Sequence, residues 1–157
     1  MAKIAITGAA GFIAYHAAKK FKSDGHEVVG FDNYNDYYNP TLKHDRVNKL
    51  KKDGIFIDRG DLLDTVFLSE FMNGYKPDMV LHLAAYAGVR HSLKEPDNYI
   101  QNNIVGTHNL ITACQEASVD KIIYASTSCV MAGNELPWKE DEKIGYSLNP
   151  YGYSKAT

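Results

Sequence analysis

Apolar positions along the chain alternate between two rhythms. Short runs rich in β-branched and aromatic residues, at 3–7, 27–31, 54–58, 78–83 and 121–125, read as five short buried strands. Between them apolar residues recur at helical spacing over 11–23, 41–52, 65–73 and 96–117, the last placing Tyr99, Ile100, Ile104 and Leu110 on one face. Alternation of this kind predicts right-handed crossovers and a parallel sheet with helices on both faces. The expected fold class is therefore α/β, a doubly wound parallel sheet. Two stretches, 32–40 and 126–150, are rich in Asn, Gly, Tyr and Pro without any period and read as long loops at the carboxyl ends of strands. Open α/β sheets bind their ligands at that edge.

Composition narrows the function. The 157 residues carry 17 basic and 19 acidic side chains, a formal charge of −2, which is enough chain for one domain spanning 1–157. There is no basic excess for a nucleic-acid footprint, and Lys49, Lys51 and Lys52 read as a solvated helix end. Cys114 and Cys129 lack metal-ligand spacing and the six histidines are scattered singly, so no metal site and no disulfide framework are expected. No apolar run approaches the roughly 20 residues that span a bilayer, and Lys19 and Lys20 break the N-terminal one. A reducing cytoplasm is the expected location.

Thr7-Gly-Ala-Ala-Gly-Phe-Ile-Ala14 follows the first strand and opens a helix. In such a loop Gly8 serves the tight turn, Gly11 permits close backbone approach to a pyrophosphate, Ala14 permits helix–strand packing, and the helix N-terminus favours the anion. Asp32 closes the second strand about 20 residues further on, where an adenosine ribose presents its hydroxyls. The alternative for Asp32 is a turn or helix-cap carboxylate. An acid there repels a 2′-phosphate and no arginine lies closer in sequence than Arg46, which favours NAD over NADP.

Tyr151 and Lys155 are four residues apart, on one face if the segment is helical. A nearby ammonium favours the phenolate, making the tyrosine a usable base for a sugar hydroxyl. Tyr15 and Lys19 repeat the spacing inside the first helix, where they read as a packing pair, whereas Tyr151 follows the fifth strand on the ligand edge. Thr127 offers a hydroxyl that would hold the reacting sugar, or else serves ordinary turn chemistry. Asn102 and Asn103 are either exposed or bonded to a neighbouring strand.

Together these residues resemble the extended short-chain dehydrogenase/reductase family and, within it, the nucleotide-sugar epimerases. The resemblance spans the whole chain and rests on Thr7-Gly-Ala-Ala-Gly-Phe-Ile, Phe31-Asp-Asn, Gly60-Asp-Leu, His82-Leu-Ala-Ala, the segment from Asn102 to Leu110, Tyr124-Ala-Ser-Thr-Ser, and Asn149-Pro-Tyr-Gly-Tyr-Ser-Lys155. Segments 32–40 and 84–93 look most like UDP-glucuronate 4-epimerases. The resemblance implies a Rossmann domain over 1–157 that binds NAD. Phe12 and Ile13 would cover the pyrophosphate, Asp32 with Asn33, Tyr34, Asn35, Asp36 and Tyr37 would surround the adenosine ribose, and Asp61 and Leu62 would flank adenine. Leu83, Ala84, Ala85, Tyr86 and Ala87 would line the dinucleotide and Asn102 would touch it. Thr127, Tyr151 and Lys155 would be the catalytic group in contact with both cofactor and sugar, with Arg90 and Ser128 holding a substrate carboxylate; Arg90 is equally well a surface cation.

Three stretches depart from the family pattern: Ala14 stands for the usual third glycine, Val130-Met-Ala-Gly-Asn134 for Val-Tyr-Gly-Gly-Asn, and Cys129 for a serine. The implied activity is NAD-dependent 4-epimerisation of a UDP-sugar. A 4,6-dehydratase is the rival within the family, although Ser128-Cys129 occupy the places of its acidic pair, and a non-catalytic NAD-binding module is the rival outside it. Family members run to roughly twice this length, so the expectation is a domain truncated before its C-terminal substrate region, inactive alone, with an open cleft. The Tyr–Lys helix would have barely two turns and should fray unless a neighbour packs on it. Helix 96–117 would self-associate, or pair with a complementing chain.

Overall fold

A computed structural model describes residues 1–157. Its strands are β1 (Lys3–Thr7), β2 (Glu27–Asp32), β3 (Phe56–Arg59), β4 (Met79–His82) and β5 (Ile122–Tyr124), joined in one sheet of order β3-β2-β1-β4-β5. Every pairing is parallel. Chain order and sheet order part company at β1, whose carboxyl end thereby adjoins the switch point where such sheets bind ligands. Contacts divide the chain into two units, one of residues 1–84 and 108–125, the other of residues 85–107 and 126–157.

The first unit holds the whole sheet. Successive side chains of a strand point to opposite faces, and β1 shows the consequence. Ile4 and Ile6 join Ala14 and Ala18 of α1 (Phe12–Ser23), Leu50 of α2 (Pro40–Lys52) and Ile55 in one cluster, whereas Ala5 joins Leu68, Phe71 and Met72 of α3 (Thr65–Tyr75) with Leu110 and Ala113 of α6 (Gly106–Glu116) in the other. The small Ala5, Ala14 and Ala18 let helix and strand approach closely. The two edge strands depart from the expectation of five buried strands. Phe56 of β3 and Ile122 and Ile123 of β5 are exposed, because an edge strand is covered on one side only.

The second unit is built of short helical pieces. These are α4 (Val89–Ser92), α5 (Pro96–Tyr99), a π-helical segment Ile100–Val105 that leads into α6, a 3-10 turn Ser128–Met131, and α7 (Pro150–Ala156). The helix expected over 96–117 therefore contains a π segment in place of a continuous α ladder, and its inward stripe differs from the expected one. Tyr99, Asn103, Gly106, Leu110 and Ala113 are buried, while Ile100 is exposed. An asparagine and a glycine in that stripe hide it from a reading that counts only apolar residues. α7 has seven residues, too few to persist unaided. Its start is fixed by Pro150 and by the Asn149 side chain, which accepts the Gly152 N–H at 2.8 Å. It packs on α4, α5, the π segment and the 3-10 turn, and Gly152, Ser154 and Lys155 are buried. The neighbours that prevent fraying come from this same unit.

Candidate active site

In the first unit the glycine loop is shaped by contacts that exclude side chains. Gly8 has φ +66°, and a Cβ there would lie 2.8 Å from both Cα and N of Ala84. Gly11 donates its N–H to the Gly8 carbonyl at 2.9 Å, closing the turn. No side chain caps α1, so its first-turn amides lack a side-chain acceptor, and Phe12 and Ile13 at that end are exposed. Below the loop, Thr7 Oγ1 accepts the Leu83 and Ala84 N–H groups at 3.2 and 3.1 Å and lies 2.6 Å from His82 Nδ1. A hydroxyl that already accepts two bonds gives its proton to the third partner, so His82 Nδ1 is the acceptor. Leu83 and Ala84 are thereby tied to the carboxyl end of β1.

Asp32 is buried and its carboxylate is well occupied. It accepts the Ala10 N–H at 3.2 Å, the Tyr34 N–H at 2.8 Å and the Lys43 ammonium at 3.2 Å. Lys43 is itself buried and also donates to Asn35 Oδ1 at 2.9 Å. Arg46, one turn further along α2, donates to the Ala10 carbonyl at 3.2 Å and the Tyr38 hydroxyl at 2.9 Å. The sequence reading weighs only arginines near Asp32, and the structure adds a lysine to its surroundings. Lys43 of α2 pairs with the carboxylate, and Arg46 of the same helix bonds the carbonyl of Ala10, whose N–H that carboxylate accepts. Tyr34 is held at φ +55°, with its ring stacked on His44 and its phenol shifted up by burial and by the Asp32 charge. Asn33 donates to Asp61 Oδ2 at 2.9 Å, joining two of the expected adenosine contacts. Asp36 and Tyr37 are exposed. Leu62 belongs to the core with its side chain, so only its backbone is available to a ligand.

In the second unit the loop 85–88 and helix α7 are fastened to one side chain. Asn103 accepts the Tyr86 N–H at 2.8 Å and donates to the Tyr86 carbonyl and to Ser154 Oγ, both at 2.9 Å. Asn102, the asparagine singled out above, donates to Asn98 O along its own helix. Only the burial of position 103 separates the two, and adjacent identical residues give no such signal. Asn103→Ala should cost about 2 kcal/mol in urea denaturation, because buried polar partners are left unpaired. Asn102→Ala should cost under about 0.5 kcal/mol.

Tyr151 and Lys155 occupy successive turns of α7. The Tyr151 ring meets Tyr99 edge-on at 6.0 Å, and Tyr99 in turn bonds the Ala87 carbonyl at 2.7 Å. Burial pushes the Lys155 ammonium down to about 8. Tyr153, in contrast, is exposed. Thr127 caps the 3-10 turn, accepting the Cys129 N–H at 3.2 Å, and its own hydroxyl proton remains a donor. Ser128 and Arg90 are exposed, and Ala85 and Tyr86 are half-buried. On α1 the other tyrosine–lysine pair is a packing contact, with Lys19 Nζ 5.7 Å from the Tyr15 ring centre.

The model of the NAD dependent epimerase/dehydratase family matches residues 4–157. The chain belongs to that family. Relatives include the UDP-glucuronate 4-epimerase of Thermodesulfobacterium geofontis, 40% identical over 151 residues, a match covering 96% of this chain and 47% of the relative. Protein CapI of Staphylococcus aureus is 39% identical over 154 residues, with 98% and 46% covered. The solved structure of the Bacillus cereus UDP-glucuronic acid 4-epimerase in complex with UDP-glucuronic acid and NAD superposes with a TM-score of 0.87 at 37% identity, covering 98% of this chain and 48% of that one. The chain thus spans less than half the length of these family members. No helix is long and apolar enough to cross a membrane.

Proposed function

We propose that the chain serves NAD-dependent 4-epimerisation of a UDP-sugar, with UDP-glucuronate as the favoured substrate, and that turnover belongs to an active assembly rather than to this chain alone. The observation that carries this reading is the likeness, over nearly all of the chain, to an enzyme crystallised with both of those molecules. Residues of the first unit fit the dinucleotide. The uncapped amides of α1 suit its pyrophosphate, the left-handed Gly8 keeps the loop low, and the buried Asp32 carboxylate suits a ribose diol. When bound, NAD would supply a reversible hydride acceptor for the sugar C4, the same hydride returning to the other face so that the isomerisation is redox-neutral. Tyr151 takes the proton of the 4-hydroxyl, Lys155 holds a positive charge one turn away that favours the phenolate, and Thr127 orients the hydroxyl. Arg90 and Ser128 hold the uronate carboxylate.

The test combines mass spectrometry of the purified chain for bound NAD with incubation in UDP-glucuronate and chromatography of the C4 epimers. In an active assembly Tyr151→Phe should lower turnover by at least about a hundredfold with NAD binding intact, whereas Tyr15→Phe should leave turnover unchanged. Loss of turnover from Tyr15→Phe alone would reverse the assignment. Absence of both NAD binding and epimerisation would refute the function.

A further inference from the structure

We propose that Lys43 is a specificity-determining residue of the dinucleotide site, a latent ligand for a ribose 2′-phosphate that the Asp32 carboxylate holds in check. The proposal rests on the functional reading above, in that it takes Asp32 to face the adenosine ribose. Three observations support it. Lys43 and Asp32 form an ion pair at 3.2 Å in which both side chains are only 6% exposed. The ammonium has a second anchor, Asn35 Oδ1 at 2.9 Å, so it stays in place when the carboxylate is removed. Arg46 adds a guanidinium bonded to the carbonyl of Ala10, the residue whose N–H bonds Asp32.

A bare carboxylate at this place repels a 2′-phosphate outright. A carboxylate neutralised by a buried ammonium repels it less. Without the carboxylate, the ammonium is a buried cation in need of an anion, and charge-assisted bonds to phosphate are among the stronger ones available. The two partners should therefore push specificity in opposite directions.

The experiment is calorimetric titration of the purified chain and its variants with NAD and with NADP. Wild type should prefer NAD. Asp32→Ala should weaken NAD and tighten NADP by about tenfold or more, and Asp32→Asn, which keeps the side-chain shape but only one of the two backbone bonds because its amide nitrogen cannot accept an N–H, should shift specificity in the same direction by less. Lys43→Met alone should weaken NADP further and widen the discrimination. In the double variant Asp32→Ala/Lys43→Met the gain for NADP should disappear. Circular dichroism of each variant checks that it is folded, and the asparagine and methionine variants serve if the alanine one is not. Unchanged NADP affinity in folded Asp32→Ala and Asp32→Asn, or a gain that survives loss of Lys43, overturns the proposal while leaving NAD binding by the wild type intact. Failure of every form to bind either dinucleotide overturns the functional reading, and this inference with it.

Discussion

Gly8→Ala is expected to destabilise the chain by about 2–5 kcal/mol and to lower its melting temperature by about 10 °C. Two costs add. Position 8 sits at φ +66°, where a Cβ strains the backbone by about 1–2 kcal/mol. The same Cβ would lie 2.8 Å from two backbone atoms of Ala84, one of them the nitrogen that Thr7 Oγ1 holds at 3.1 Å. Neither atom can rotate aside, so relief requires β1 and the segment after β4 to separate. Gly54→Ala supplies the comparison, since Gly54 has φ +72° with nothing within 4 Å of its would-be Cβ. It should cost only the strain. The stabilising effect of a stiffer unfolded chain is common to both substitutions and cancels. Urea denaturation of the two variants reads the difference, and equal costs would show that the approach of Ala84 to the loop is not rigid.

The sheet is legible in the sequence because its strands carry their own signal. β1 occupies the residues expected of it, and the alternation of Ile4, Ala5 and Ile6 between two clusters follows from a period of two. The glycine loop is legible for the same local reason, since backbone geometry at Gly8 restricts which residue can stand there. What escapes a reading of the sequence is pairing between distant side chains. Nothing in the spacing of Asp32 and Lys43 announces a buried ion pair, because α2 is strongly polar and its charged residues read as a solvated face. Asn103 stays undecided between an exposed and a bonded place because its role depends on inward burial within a helix that contains a π segment, which spacing alone does not reveal. Thr127 shows the converse, where its turn role, accepting Cys129 N–H, is visible in the structure and the catalytic role proposed for it rests on likeness alone. Local periodicity thus prescribes the scaffold, whereas the polar groups that hold the loops at the ligand edge depend on tertiary contact.

Lys155→Met is expected to stabilise the chain by up to about 3 kcal/mol at pH 7, an unusual direction for a residue in a candidate catalytic group. Burial holds the Lys155 ammonium at about 8, below its ordinary 10.5. Folding at neutral pH therefore confines a charge where water solvates it poorly, and methionine keeps the aliphatic length without that cost. The dependence on pH identifies the cause. Below about 8 both states of the chain hold the proton and the penalty is complete; between 8 and 10.5 the unfolded chain holds it while the folded chain releases it, so wild-type stability rises with pH relative to the variant; above 10.5 the penalty is gone. Burial raises the phenols of Tyr34 and Tyr75 in both proteins alike, so the informative quantity is the difference between wild type and variant measured at the same pH. Denaturation curves at pH 7 and pH 10 supply it. A gap that closes toward high pH establishes that the cost lies in the buried charge itself, one turn along α7 from Tyr151. A gap that stays constant would mean that the introduced methionine merely packs better, and would remove the electrostatic reason for placing the pair at the centre of the reaction.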